Sequence, residues 1–486
     1  MAHATEGRAK AIREEMYVNL LPLRRGERIY GGWDFLAVQI CFGIAAWFFL
    51  TGSLTGLTVP AREALPIILF GNSVPLVLIA PMAVMFARYG VEQWQGSSAV
   101  FGHRLKDVWL LIYISSSFGW IAYASFLFGQ SAVRFLQVFG APEAVTGTPG
   151  AITFAMLATA VGAFVAFLGP QVLKWFTRTS AVFLLLVLGY FTWSVLTRFG
   201  LPEIFAAEPA EPFETVAWSR ASAIEFNVGL GFSWAFWYGQ WTRLSRSESG
   251  AFHGCLWGWG VLAATAGIFS AFLALTLDLY DPTEWIVTLG GGLAALGLLL
   301  FAVANVSSVT ALVYPMSITL RTRFPNLKWG VAVLICSVPA LALENPTVFE
   351  SFGTYLAYIA LLTGTYGGIM MADYYLVSRG RHAWYLRDLY VTGPKSRYWY
   401  WAGVNPAALV ATGAGALFYL WTLDPLSWTS GNGLFPYITA GLPSFFVAFV
   451  VYAALMRAWV LPRLDERRGD VPTERPPASD DRLTPA

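Results

Sequence analysis

The stretch Gly364–Asn405 reads GTYGGIMMADYYLVSRGRHAWYLRDLYVTGPKSRYWYWAGVN. Its head is an apolar, glycine-rich run that closes on Ala372-Asp-Tyr-Tyr-Leu376. Its middle is a loop with five Lys and Arg residues, and its tail turns apolar again. An apolar run, a basic loop and a second apolar run form the pattern of a chain that leaves a bilayer on one face and returns into it.

The whole chain has that character. Hydrophobic residues make up 56% of 486 and charged residues 12%, where a soluble chain carries roughly 25% charged residues. Most of this surface is therefore expected to meet lipid or protein rather than water. The aromatic share is 16%, with 21 tryptophans, which suits interfacial belts and stacking surfaces. The net charge is +2, so no nucleic-acid surface is implied. Cys41, Cys255 and Cys336 are scattered through apolar segments, and His3, His103, His253 and His382 lie in loops or at helix ends. Neither set has disulfide or metal-ligand spacing. Residues 1–31 are charged and lack the apolar core of a signal peptide. The tail 464–486, rich in Pro, Asp and Arg, reads as disordered.

A spanning helix needs about 20 apolar residues. Twelve segments qualify: 32–57, 64–88, 108–137, 151–173, 179–199, 221–242, 250–277, 290–320, 327–344, 350–378, 399–421 and 434–461. The expected fold is an all-α polytopic membrane protein. Alternate loops and both termini hold 27 of the 31 Lys and Arg residues, leaving Arg62, Arg134, Arg198 and Arg220 on the other side. By the positive-inside rule both termini face the cytoplasm of a plasma or inner membrane.

Polar groups near the bilayer centre are costly and usually functional. Five spans have notable centres: Gly43 to Trp47, Ser115 to Trp120, Gly229 to Trp234, Asn305 to Ser308, and Thr363 to Gly368. None carries a charge there. That suits an uncharged, flat, partly polar cargo stacked on aromatic rings. Each feature also has a plainer reading: glycines allow close helix packing, tryptophans fill cores, and Ser or Thr bonds back to its own helix. Asp34, Glu225 and Asp373 sit at span ends, where hydration or pairing explains them.

Several blocks resemble the nucleobase–cation symporter-1 family, in that family's order. They are Trp33 to Gly56, the loop Tyr89 to Gly102, Ser117-Phe-Gly-Trp120, Glu225-Phe-Asn-Val228, Ala372-Asp-Tyr-Tyr-Leu376 and Arg387-Asp-Leu-Tyr390. The resemblance implies two inverted five-helix repeats (about 32–199 and 221–378) plus two peripheral helices (about 399–461). It implies cation-coupled import of a nucleobase-like heterocycle, with Na+ or H+ as the coupling ion, no other cofactor, no catalysis, and a monomer. It implies a substrate site at Trp120, Phe232 or Trp234, Gly231, Asn305, Ala46 and Trp47. The implied cation site uses Phe42, Gly43, Ala46, Ala304, Ser307 and Ser308, and the implied gate is Thr363, Gly364, Thr365 and Tyr366. The chain departs from the family in span 8, which reads Asn305-Val-Ser-Ser-Val-Thr-Ala311 with no later Asn. In span 1, Ala45, Ala46 or Trp47 stands where a polar residue is expected. The alternative readings are an inverted-repeat carrier of an amino acid or vitamin precursor, and a membrane receptor or enzyme.

Overall fold

A computed structural model describes residues 21–44, 46–290, 293–378 and 384–468. The outer parts of the expected terminal segments, 1–20 and 469–486, lie outside the described residues, as does Ala45. All named elements are helices. Eight are long and apolar enough to span a bilayer: α2 (Ala61–Tyr89), α3 (His103–Val138), α4 (Thr148–Phe167), α5 (Pro170–Arg198), α7 (Glu248–Leu277), α8 (Ala294–Arg323), α10 (Phe352–Val377) and α12 (Gly441–Leu464). Two shorter apolar helices are α9 (Trp329–Leu343) and α11 (Pro406–Thr422). The remaining two are interrupted. α1 consists of Gly32–Gly43 and Ala46–Thr58, bent by 46° at the break. α6 consists of Val216–Ser233, a 3-10 turn Trp234–Phe236, and Tyr238–Thr242. Each of the twelve expected segments contains a helix, and the largest displacements are three starts: α11 begins at Pro406 rather than 399, α12 at Gly441 rather than 434, and α5 at Pro170 rather than 179. The sequence reading has residues 174–178 as the loop before α5. The chain turns instead at Gly169, with φ of 95°, and Pro170 starts the helix. A positive φ ends α4 and a proline opens α5. Lys174 and Arg178 consequently ride on α5, where both pair with Asp34 of α1.

Small residues decide how the helices meet. Gly52 and Gly56 bring α1 onto α7 so closely that a Cβ at either would lie 2.2 Å from the carbonyl oxygen of Gly267 or Ala271. Gly231 brings α6 onto α2 in the same way, 2.4 Å from the carbonyl oxygen of Asn72. Exchanging helices 1 and 2 with helices 6 and 7 maps one contact onto the other, as inverted repeats require. α3 packs on α8, and the peripheral α12 packs on α10 and α11. Glu225, buried midway along the first part of α6, ties the periphery to the core. It accepts from the backbone N–H groups of Ala440 and Gly441 at 3.0 and 3.1 Å and from the Tyr419 hydroxyl at 2.8 Å. Its partners are neutral donors rather than a basic residue.

The break in α6 leaves a backbone pair to satisfy. In an unbroken helix the Gly239 N–H would bond to the Ala235 carbonyl. The Gln93 amide takes both roles: its Nε2 donates to Ala235 O at 2.9 Å, and its Oε1 accepts from Gly239 N at 2.6 Å. Glycine at 239 permits the approach, since a Cβ there would lie 2.7 Å from the Gln93 Cα. Gln93 stands on a short helix, Gln93–Phe101, between α2 and α3. The neighbouring Glu92 caps that helix and accepts from Gln240 Nε2 at 2.6 Å and Thr319 Oγ1 at 2.7 Å. The loop that carries three of the basic residues is thereby built into the core.

Two predictions follow from these contacts. Gly56→Val puts atoms into the α7 backbone and should cost about 1–3 kcal/mol or more, while Gly413→Ala, which meets open space, should be neutral. Equal melting temperatures for the two purified variants would contradict the packing. Gln93→Ala strands two buried backbone groups at about 1–3 kcal/mol each. It should melt well below Tyr366→Phe, which loses only a hydroxyl bonded to Gln93 and Ser97. The same melting point for both would refute the bridging role.

Candidate functional site

The two interruptions face each other at mid-molecule, and aromatic rings fill the space around them. Phe42 and Trp47 flank the α1 break, Trp234 and Trp237 belong to the α6 break, Trp120 comes from α3 and Trp259 from α7. Ser233 and Leu312 complete the wall. The rings meet edge to face: Trp47 on Trp120 at 4.9 Å, Trp234 on Trp259 at 5.1 Å, and Phe42 on Trp234 at 5.3 Å between centroids. The enclosed cavity is about 20 Å³, room for about one water. A heterocycle enters only if at least one ring turns aside. Trp259 is the most firmly held. Its indole N–H donates to Asn72 Oδ1 at 3.1 Å, and its carbonyl accepts from Asn72 Nδ2 at 3.4 Å. It lies on a π-helical segment, Leu256–Ala263, a form that appears frequently at functional sites. The single hydroxyl in the wall, Ser233, is bonded back to Leu230 O at 2.6 Å. In the first turn of α10, Tyr355 and Phe352 cover Trp120, at 4.9 and 6.2 Å. The Tyr355 hydroxyl donates to Ser116 O at 2.7 Å.

Of the residues expected at the substrate, Trp47, Trp120 and Trp234 share this cavity, and others point elsewhere. Phe232 stacks on Phe445 of α12 at 5.1 Å, facing the periphery. Gly231 is a packing glycine against α2. Asn305 donates to Phe301 O on its own helix at 2.9 Å. Leu312 supplies the α8 side of the wall, seven residues beyond Asn305, or about 10 Å along a helix. Ala46 starts the second half of α1, and its side chain lies outside the description. The residues expected as the gate lie apart from this cavity. Thr363 and Thr365 bond back to Ile359 O and Leu361 O. Gly364 lies against α12 beside Gly441. Tyr366 joins the buried cluster with Gln93 and Phe101. Gly364, Thr365 (3.3 Å from Ser444 Oγ) and Tyr366 join α10 to its neighbours, whereas the α10 residues over Trp120 are Phe352 and Tyr355. Sequence reasoning missed Trp237, Trp259, Phe352 and Tyr355. Trp237, three positions after Trp234, was the one with a spacing signal.

A second set of groups lies where α1 ends its first half. The last carbonyls of a helix have no intrahelical partner. At Gly32–Gly43 the Ile44 N–H reaches Ile40 O, and Cys41 O is the next carbonyl along the chain. Ser308 Oγ donates to Cys41 O at 3.2 Å and lies 3.4 Å from Ala304 O. Ser307 Oγ is 2.6 Å from the same Ala304 oxygen. Two carbonyls and two hydroxyls thus converge at the negative end of a helix dipole. The oxygen set suits a small hard cation. The α1 carbonyl that Ser308 meets is that of Cys41, one residue before the expected Phe42 and Gly43. The Cys41 thiol meanwhile donates to Thr177 O of α5 at 2.9 Å.

Residues 35–439 match the family described as "Permease for cytosine/purines, uracil, thiamine, allantoin". The chain is 24% identical over 441 residues to a purine-uracil permease of Arabidopsis thaliana, covering 83% of this chain and 66% of that protein. It is 23% identical over 459 residues to an allantoin permease of Bacillus subtilis, covering 87% and 84%. Among solved structures, a nucleobase-cation-symport-1 family transporter in a closed conformation with bromovinylhydantoin bound superposes with a TM-score of 0.75 at 19% identity, covering 91% of this chain and 95% of that one. A sodium-coupled sialic acid symporter shares the fold more distantly, at a TM-score of 0.55 and 14% identity. With two mutually inverted five-helix repeats, two peripheral helices and a family match across nearly all its spans, the chain belongs to the cytosine/purine, uracil, thiamine and allantoin permease family.

Proposed function

We propose that this protein is a secondary symporter that carries an aromatic, weakly polar heterocycle of the nucleobase, hydantoin or allantoin type together with a sodium ion. The observation that carries the reading is the cavity at the two helix breaks, with its five tryptophans and one phenylalanine. Offset or edge-on contacts with flat rings favour a flat cargo. The wall holds no Arg, Lys, Asp or Glu, which argues against an amino-acid carboxylate as cargo, and the reading assigns transport rather than catalysis. Hydrogen bonds to the cargo would come from backbone freed at the breaks and from Trp N–H groups.

The cation reading rests on Cys41 O, Ala304 O, Ser307 Oγ and Ser308 Oγ. The Ser308 hydroxyl is within hydrogen-bond reach of Cys41 O. A bound sodium ion would take both oxygens as ligands, with the hydroxyl proton turned away. Because α1 supplies both the Cys41 carbonyl and the rings Phe42 and Trp47, ion binding and cargo binding act on one bent helix. Alternating access then moves one repeat against the other around the fixed site. On one side Phe352 and Tyr355 form the cover over Trp120. On the other, Gln93 and Tyr366 form the closure. The distribution of 27 against four basic residues supports placing the Gln93 side and both termini in the cytoplasm.

Trp120→Ala should reduce uptake of a labelled heterocycle to background while the protein still reaches the membrane. Near-normal uptake would remove the stacking role. Ser308→Ala should raise the sodium concentration for half-maximal uptake roughly 10- to 100-fold, the loss expected for one bond to a charged group. An unchanged sodium dependence, or uptake that survives choline replacement and collapses with a protonophore, would overturn the cation assignment.

A further inference from the structure

We propose that the groove between α4 and α9 binds one phospholipid with an anionic headgroup, its acyl chain lying along the groove and its phosphate at Lys328. The groove is remote from the aromatic cavity, shares no residue with it, and measures about 660 Å³. One wall is Met156, Ala160, Phe164 and Phe167 of α4, and the other is Val331, Leu334, Val338 and Leu341 of α9. Most of these side chains are exposed.

Three features select the occupant. The first is dryness. The two hydroxyls in the groove are both committed to the protein, Ser337 to Val333 O at 2.8 Å and Thr159 to Glu344. No polar side chain in the walls calls for water. The second is length. Lys328 to Leu341 spans about 20 Å at a helical rise, slightly more than one leaflet's share, about 15 Å, of the hydrocarbon core. The third is charge. Lys328 lines the groove at one end only, is exposed, and makes no ion pair among the described residues. Nearby Lys106 and Arg323 are both engaged by Asp107. A basic site between spanning helices on the cytoplasmic side is suited to an anionic headgroup. The adjacent Trp329 fixes that end, its indole N–H donating to Phe167 O at 3.0 Å. The leaflet named here rests on the orientation proposed above.

The test uses the full chain in nanodiscs of phosphatidylcholine with or without phosphatidylglycerol, reading the melting temperature and the phospholipid retained after detergent extraction. Wild type should melt higher with phosphatidylglycerol and retain it selectively. Lys328→Gln should lose the selectivity but keep the wild-type melting temperature in pure phosphatidylcholine. Gly330→Leu, whose Cβ would sit 3.5 Å from the Phe167 ring, should fill the groove and retain neither lipid. Selectivity that persists in Lys328→Gln, or is absent from wild type, overturns the proposal. Glycerophosphate stabilising wild type as well as the lipid does would mean a phosphate site. A doubled sedimentation mass abolished by Gly330→Leu would mean a second copy of this chain fills the groove. Both results also overturn it. None of these readouts depends on transport, so the inference can fail while the symport reading stands.

Discussion

Backbone groups inside a bilayer have no water to turn to, and so a break in a spanning helix needs a partner for every group it frees. This chain breaks two helices at mid-depth and satisfies them in different ways. In α6 the Gln93 amide restores both halves of the missing Ala235–Gly239 bond. In α1 the Ser308 hydroxyl reaches the Cys41 carbonyl from a neighbouring helix. An amide with donor and acceptor closes its break completely. In the reading proposed above, a hydroxyl that can turn leaves oxygen lone pairs for a cation at the α1 break, whereas the amide leaves none at the α6 break. The related repeats are therefore chemically unequal at equivalent places.

The same breaks set the cavity. A continuous α6 would already place Trp234 and Trp237 on one face, about 60° apart at 100° per residue, and a 3-10 turn nearly eclipses them. Both stand in one wall of the cavity. Glycines set the depth at which these walls stand: Gly52 and Gly56 seat α1 on α7, and Gly231 seats α6 on α2. The rings then close on each other, leaving about 20 Å³. Opening requires rings to separate, and the least anchored candidates are those without a hydrogen bond such as the one from Trp259 to Asn72.

The spans were legible because apolar length and basic loops are strong, local signals. Trp47, Trp120 and Trp234 were legible as mid-span aromatics, which a membrane protein places inside for a reason. Phe232, Gly231 and Asn305 were not separable from them by depth alone. Side-chain direction depends on helix rotation, and the α6 break changes that rotation between Phe232 and Trp237. The partners of Tyr366 were hidden for a similar reason: its hydroxyl meets a loop helix that sequence spacing does not reveal. Cys41 was hidden because Ser308 meets its backbone carbonyl, a contact that side-chain identity does not reveal.

The account's central claim is that cation and heterocycle act on one bent helix and so bind cooperatively. With five tryptophans around the cavity, intrinsic fluorescence should report cargo directly. Purified protein titrated with uracil, allantoin, hydantoin and purine bases should show a quench whose midpoint falls when sodium replaces choline at constant ionic strength, with the reciprocal shift when sodium is titrated against fixed cargo. A midpoint indifferent to sodium, or emission that no member of the panel changes, would contradict the account.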